Sequence, residues 1–232
     1  VCFHLAAQAD VRVSVERPDF DADVNVVGTV RVLEAARAHG TQIVFSSTGG
    51  ALSGECERPA REDDPRRPLS PYGMSKLAGE EYLFGWNRLH GSRHVVLRFG
   101  NVYGPRQEPS LEGGVIAVFL DRMAAGQPTA IYGDGTQTRD FIYVKDVVAG
   151  MLAAAGHDAG VFNIAAGEST SVSELHRLCR AVSGRDEEPE YGPARPGDLM
   201  HSALDPARAR EELGWSAATS LEDGLRATWA TK

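Results

Sequence analysis

Ile43-Val-Phe-Ser-Ser-Thr48 is a short, nearly continuous apolar run that closes on three small hydroxyls. Such a run, with no polar face, is the pattern of a strand covered on both sides, as in a parallel sheet. Ligands gather at the carboxyl ends of parallel strands, so Ser46, Ser47 and Thr48 stand where a site is expected. One loop later comes Ser70-Pro-Tyr-Gly-Met-Ser-Lys76. Ser70 reads as an N-cap and Pro71 as the first residue of a helix that ends near Gly91. Tyr72 and Lys76, four apart, share a face of that helix. A free tyrosine, with a pKa of about 10, is a poor base at neutral pH, but a neighbouring ammonium favours the phenolate. A phenolate so placed can take a proton from a hydroxyl while hydride leaves the same carbon. A surface tyrosine beside a solvated lysine would show the same spacing, and strand ends often use Ser and Thr to close turns. Hydroxyls at a strand end followed by a Tyr/Lys helix form a much less common combination.

Working outward, β-branched apolar runs alternate with helical patterns, which predicts parallel strands joined by crossover helices. The strand candidates are 1–5, 42–46, 95–99, 129–132 and 161–164. Residues 21–39 carry Val24, Val27, Val30, Leu33 and Ala36 at helical spacing and stop at Gly40. Residues 72–90 form a second helix. After Phe99 the texture changes to a Gly- and Pro-bearing stretch over 101–114. A helix over 115–125, the loop 133–139, helices over 144–155 and 172–183, the loop 192–198 and short helices over 206–213 and 221–229 follow. The fold class is α/β: a Rossmann-type doubly wound parallel sheet with a smaller mixed lobe. Residues 1–112 are expected to carry the sheet and 113–232 mainly the lobe, interleaved with the sheet through a return over 140–165.

The 232 residues are 42% hydrophobic and 24% charged, an ordinary globular profile. The net charge of −8 argues against a nucleic-acid surface or an anionic membrane. No apolar run is long enough to span a bilayer. Cys2, Cys56 and Cys179 are scattered and odd in number, which fits neither a disulfide framework nor a metal site and points to a reducing cytoplasm. No metal is expected.

Further motifs accompany these two. They are His4-Leu-Ala-Ala7, Asn25-Val-Val-Gly-Thr29, Phe45-Ser-Ser-Thr-Gly-Gly50, Leu97-Arg-Phe-Gly-Asn-Val-Tyr-Gly-Pro105, Gly133-Asp-Gly-Thr-Gln-Thr-Arg-Asp-Phe-Ile-Tyr-Val-Lys-Asp146, Phe162-Asn-Ile-Ala-Ala-Gly167 and Arg195-Pro-Gly-Asp198. In this order, over nearly the whole chain, the sequence resembles the extended short-chain dehydrogenase/reductase family, and within it the NAD-dependent nucleotide-sugar epimerases of the UDP-glucose 4-epimerase type. The resemblance implies NAD as cofactor and a UDP-sugar or related nucleotide sugar as substrate. Tyr72 would be the base, Lys76 its electrostatic partner and a ligand of the nicotinamide ribose, and Thr48 the hydroxyl orienting the reacting carbon. Leu5, Ala6, Ala7, Gln8, Asn25, Ser46, Ser47 and Gly100 would line the cofactor. Asn101, Val115, Ile116, Ile131 and Tyr132 would meet the nucleotide sugar, with Arg139 and Arg195 on its diphosphate and Asp198 on a ribose. An arginine fork suits phosphate oxygens, although each of these arginines taken alone could be a solvated surface residue. The resemblance also implies a homodimer through helices 21–39 and 72–90.

Two features qualify that expectation. Related 4,6-dehydratases place acidic residues after the strand-end Thr to eliminate water, whereas Gly49 and Gly50 follow Thr48 here. That favours epimerisation, with dehydration as the alternative. The fingerprint Gly-x-Gly-x-x-Gly is absent from the 232 residues. By the resemblance, Val1 begins at the fourth strand, with roughly 60 residues in two strand-helix units lying before it. The opening without Met suggests a fragment whose first strand is an exposed apolar edge. It also leaves open a protein that binds nucleotide sugars without catalysis.

Overall fold

The structure, a computed structural model, describes residues 1–109, 114–194 and 198–232. In chain order the elements are β1 (Cys2–His4), α1 (Val11–Glu16), α2 (Pro18–Ala22), a π-helical turn (Asp23–Val27), α3 (Gly28–Ala38), β2 (Ile43–Thr48), α4 (Gly50–Ser53), α5 (Pro71–His90), β3 (Val95–Phe99), β4 (Asn101–Tyr103) and α6 (Val115–Ala124). Then come β5 (Ala130–Tyr132), β6 (Thr138–Arg139), β7 (Phe141–Tyr143), α7 (Val144–Ala154), β8 (Gly160–Ile164), β9 (Thr170–Ser171), α8 (Val172–Ser183), β10 (Glu190–Gly192), β11 (His201–Ser202), α9 (Ala207–Leu213) and α10 (Leu221–Trp229).

The main sheet has the order β1-β2-β3-β8, and all its pairs are parallel. Alternate residues serve opposite faces, as the two-residue period of a strand requires. Ile43, Phe45 and Val96 pack with Leu33 and Ala36 of α3 and Leu83 of α5. Val44, Val95 and Leu97 pack on the other side with Val147 and Met151 of α7 and Trp215. Each fully buried side chain of this kind contributes roughly 1.5–3 kcal/mol over its exposed state, which holds both helical layers to the sheet. A third core unites α6, α8 and α10 with β5 and β7 through Phe119, Leu120, Ile131, Leu175 and Leu225. β1 pairs with β2 on one side, and Phe3 and Leu5 are exposed.

The helix expected over 21–39 is divided. Its start lies at Pro18, and the π-helical turn separates α2 from α3. The wide turn carries Asn25 inward, where it is buried, and Thr29 Oγ1 donates to the Asn25 carbonyl at 2.6 Å. The Gly- and Pro-bearing stretch 101–114 contains β4, and 133–139, read as a loop, contains β6. Strands of two or three residues are too short to show a period. No helix among the described residues is long and apolar enough to cross a membrane.

Candidate active site

A cleft of about 770 Å³ opens at the carboxyl ends of β2 and β3. Ser47, Thr48, Tyr72, Phe99, Gly100, Asn101, Ile116, Arg139 and Asp198 all line it. Local chemistry brings the strand end and α5 together. Ser70 Oγ accepts from the backbone N–H of Gly73 at 3.2 Å, which starts α5 with Pro71 in its first turn. A Cβ at Gly73 would stand 2.6 Å from the Ala51 carbonyl, and one at Gly79 2.7 Å from Phe45 Cζ. Two glycines therefore let α5 lie close against α4 and β2.

Tyr72 and Lys76 occupy the same face of α5, with the Lys76 ammonium 6.0 Å from the Tyr72 ring centroid and 5.0 Å from that of Phe45. Lys76 is 4% exposed, and Nζ donates to the Ser46 carbonyl at 3.0 Å. Burial lowers its pKa to about 8, against the opposing pull of Asp21 and then Glu80. An ammonium here favours the phenolate of Tyr72.

The hydroxyl of Ser47 is committed within the protein. It donates to Glu80 Oε1 at 2.6 Å, and Arg98 grips the same carboxylate through Nε at 3.0 Å and Nη2 at 2.7 Å. Arg98 Nη1 also reaches the Glu62 carbonyl at 2.9 Å. Of the three strand-end hydroxyls, Ser46 Oγ donates to the His4 carbonyl at 3.0 Å, while Thr48 lies on the cleft wall.

Leu5, Ala6, Ala7 and Gln8 follow the carboxyl end of β1. The Gln8 backbone is held on both sides by Asn25: its N–H donates to Oδ1 at 2.8 Å, and its carbonyl accepts from Nδ2 at 2.8 Å. Asn25 is thus a fastener of this loop. Gly100 connects β3 to β4, and the N–H of Asn101, the first residue of β4, donates to the Asp140 carbonyl at 2.7 Å. Arg139 and Asp198 are ion-paired to each other, and Arg139 Nη1 donates to the Leu199 carbonyl at 2.8 Å. Ile116 is buried on the cleft wall. Among the described residues, Leu5, Ala6, Ala7, Gln8, Asn25, Ser46, Lys76, Val115, Ile131 and Tyr132 do not line the cleft: Val115 and Ile131 pack into the third core, and Tyr132 is exposed. Arg195 lies outside the described residues.

Gly49 and Gly50 are small for a steric reason. A Cβ at Gly49 would stand 2.2 Å from Leu204 Cδ1, and one at Gly50 2.5 Å from Ser202 Oγ. Segment 200–205 is seated there by an Ala60–Leu204 bridge and by Glu55, which accepts from the N–H groups of Met200 and His201. The buried charges Asp21, Glu80, Arg98 and Asp140 escaped the reading of the sequence. Arg98, a charge inside the apolar run Val95–Phe99, and Glu80, one turn beyond Lys76, were the available signals.

The pattern of the NAD dependent epimerase/dehydratase family matches residues 1–165. The chain belongs to that family. A UDP-glucose 4-epimerase of Mycolicibacterium smegmatis is 46% identical over 232 residues, covering 98% of this chain and 74% of that protein. The crystal structure of a Thermotoga maritima UDP-glucose 4-epimerase with UDP-glucose matches with a TM-score of 0.96 at 45% identity, covering 99% of this chain and 75% of that one. A Thermus thermophilus UDP-glucose 4-epimerase in complex with NAD matches with a TM-score of 0.92 at 40% identity, covering 99% of this chain and 76% of that one. This family member thus shares its Rossmann-type α/β fold with those enzymes over nearly all of its length.

Proposed function

We propose that this chain carries the catalytic centre of an NAD-dependent nucleotide-sugar 4-epimerase of the UDP-glucose/UDP-galactose type. The observation that supports this most directly is the convergence of Tyr72, Thr48 and the Arg139–Asp198 pair on one cleft, with the Lys76 ammonium behind Tyr72.

The donor set fits the nicotinamide end of NAD. Lys76 offers a buried ammonium for ribose hydroxyls, Gly100 lines the cleft at the end of β3, and Leu5 to Gln8, which follow β1 outside the cleft lining, are the loop proposed to meet the remainder. When bound, NAD supplies the hydride acceptor for the sugar carbon and the donor that returns it. The protein's own part is proton handling and geometry. Tyr72, favoured as phenolate by Lys76, takes the proton of the sugar 4-hydroxyl and later gives it back. Thr48 hydrogen-bonds the same hydroxyl and fixes the carbon that reacts. Arg139 is suited to the diphosphate by its planar fork, with Asn101 beside it on the cleft.

Dehydration would require an acidic side chain after Thr48. Gly49 and Gly50 carry none, and a side chain at either would have to displace Leu204 or Ser202, which favours epimerisation. Exposed Tyr82 and Leu89 on α5 and Val27 before α3 support a homodimer through these helices, which light scattering would test. Three cysteines free of disulfides support a cytoplasmic setting.

The deciding experiment incubates the purified protein with NAD and UDP-galactose and follows UDP-glucose by chromatography. Conversion to an equilibrium mixture of the two sugars is expected. A 4-keto-6-deoxy product, or no turnover by a protein shown to hold NAD, would refute the assignment.

A further inference from the structure

Asp21, in the first turn of α2, is 1% exposed. A carboxylate so buried is costly unless its charge is answered. Its Oδ1 accepts from two neutral amides, Gln8 Nε2 at 2.9 Å and Asn25 Nδ2 at 3.0 Å. Its Oδ2 is buried without a hydrogen-bond partner among the described residues. The Asn25 amide also reaches Ser75 Oγ at 3.2 Å, next in sequence to Lys76, and Ser75 Oγ donates to the Tyr72 carbonyl at 2.9 Å. A continuous network therefore runs from the loop after β1, through Asp21 and Asn25, into the first turns of the catalytic helix.

Two buried carboxylates act on the Lys76 ammonium, and they are not equivalent. Glu80 is held by a guanidinium of its own, that of Arg98. Asp21 has only neutral donors, and Lys76 Nζ donates to a neutral carbonyl. Among the described residues no cation hydrogen-bonds Asp21 and no carboxylate hydrogen-bonds Lys76, and the pull of Asp21 on the ammonium exceeds that of Glu80.

We propose that Asp21 is the counter-charge of Lys76 and a positioning residue for the reaction, tying the loop after β1 to the catalytic helix while keeping the ammonium charged inside the protein. This rests on the reading of Lys76 as the partner of Tyr72. The charged and titratable groups facing Lys76 are Asp21 from α2, Glu80 and Tyr72 from α5 and His4 from β1. His4 is held below its ordinary value by burial and then by Lys76, so it is neutral at pH 7 and adds no competing charge.

The chain contains three lysines, at 76, 145 and 232, so lysine labelled with carbon-13 at Cε gives three resonances, and K76R identifies one of them. In the wild-type protein the Lys76 signal is expected to titrate well below an exposed lysine, with a midpoint of about 8. In D21N, which keeps an acceptor for Gln8 and Asn25 but removes the charge, the midpoint falls by about one pH unit, a tenfold lower proton affinity. D21E keeps the charge and displaces the hydrogen bonds; its midpoint stays at the wild-type value although its melting temperature falls. An unmoved midpoint in D21N, or a lowered one in D21E, would overturn the proposal, and D21E alone decides if D21N does not fold. The titration needs no turnover, so a failed epimerase assay and a failed Asp21 assignment give separate results.

Discussion

Ser47 Oγ donates to Glu80 Oε1 at 2.6 Å, and this bond fastens the end of strand β2 to α5 one turn beyond Lys76. Because Arg98 completes the cluster at 3% exposure, its charge depends on Glu80. E80Q leaves a buried guanidinium without its carboxylate and is expected to cost about 3–5 kcal/mol in urea unfolding. The double variant E80L/R98M should recover most of that loss. A loss below about 1 kcal/mol in E80Q would show that the pair is solvated in solution.

Gly49 is expected to tolerate no side chain. G49A drives a methyl group to within 2.2 Å of Leu204 Cδ1 and should destabilise by about 1–3 kcal/mol. Shortening the partner in G49A/L204A should give a coupling energy of at least about 0.5 kcal/mol in the double-mutant cycle. Strict additivity would contradict the contact.

Asp140 sets a pH signature of stability. Burial raises its pKa from 3.8 to about 6, although the N–H groups of Ala166 and Gly167, each at 2.9 Å, pull the other way. Between 3.8 and about 6 the folded state keeps a proton that the unfolded chain has lost. Its contribution is therefore complete below that window, falls as the pH rises through it, and is gone above it. Relative to D140N, the wild type should lose about 1–3 kcal/mol across the window. Guanidinium unfolding at both ends of it would measure the difference, and a constant difference would refute the shift.

Y72F should lower the epimerase kcat by about 10²- to 10⁴-fold while leaving the melting temperature and bound NAD unchanged. A Y72F protein of normal kcat would remove Tyr72 from proton transfer. T48V tests the second hydroxyl in the same assay, with a smaller loss expected because the role proposed for Thr48 is to orient the substrate hydroxyl, not to take its proton.

The layering was legible because Ile43-Val-Phe and Val95-Val-Leu are runs that only a doubly covered sheet hides, and the observed cores divide these residues between two faces. The Tyr72/Lys76 face was legible because a four-residue spacing on a proline-started helix leaves little freedom. What escaped were groups whose role depends on distant chain. Ser47 looks free in the sequence, yet it meets Glu80 33 residues on. Arg139 reads as a free phosphate ligand, yet it is paired with Asp198, 59 positions away. Gly49 reads as a missing acid, and its reason lies at Leu204. The π-helical turn was invisible because Val24, Val27 and Val30 keep an ordinary helical period while Asn25, between them, is the residue turned inward.

The main sheet is completed by β8, which pairs with β3 only after the chain has left to build β4 to β7 and α6 and α7. An engineer who exchanged residues 113–232 for those of a relative would carry away a strand of the sheet, and with Asn163 the anchor that donates to the Ala60 carbonyl. An exchange that keeps the sheet whole must be made as two separate inserts on either side of β8, with 160–164 left in the recipient.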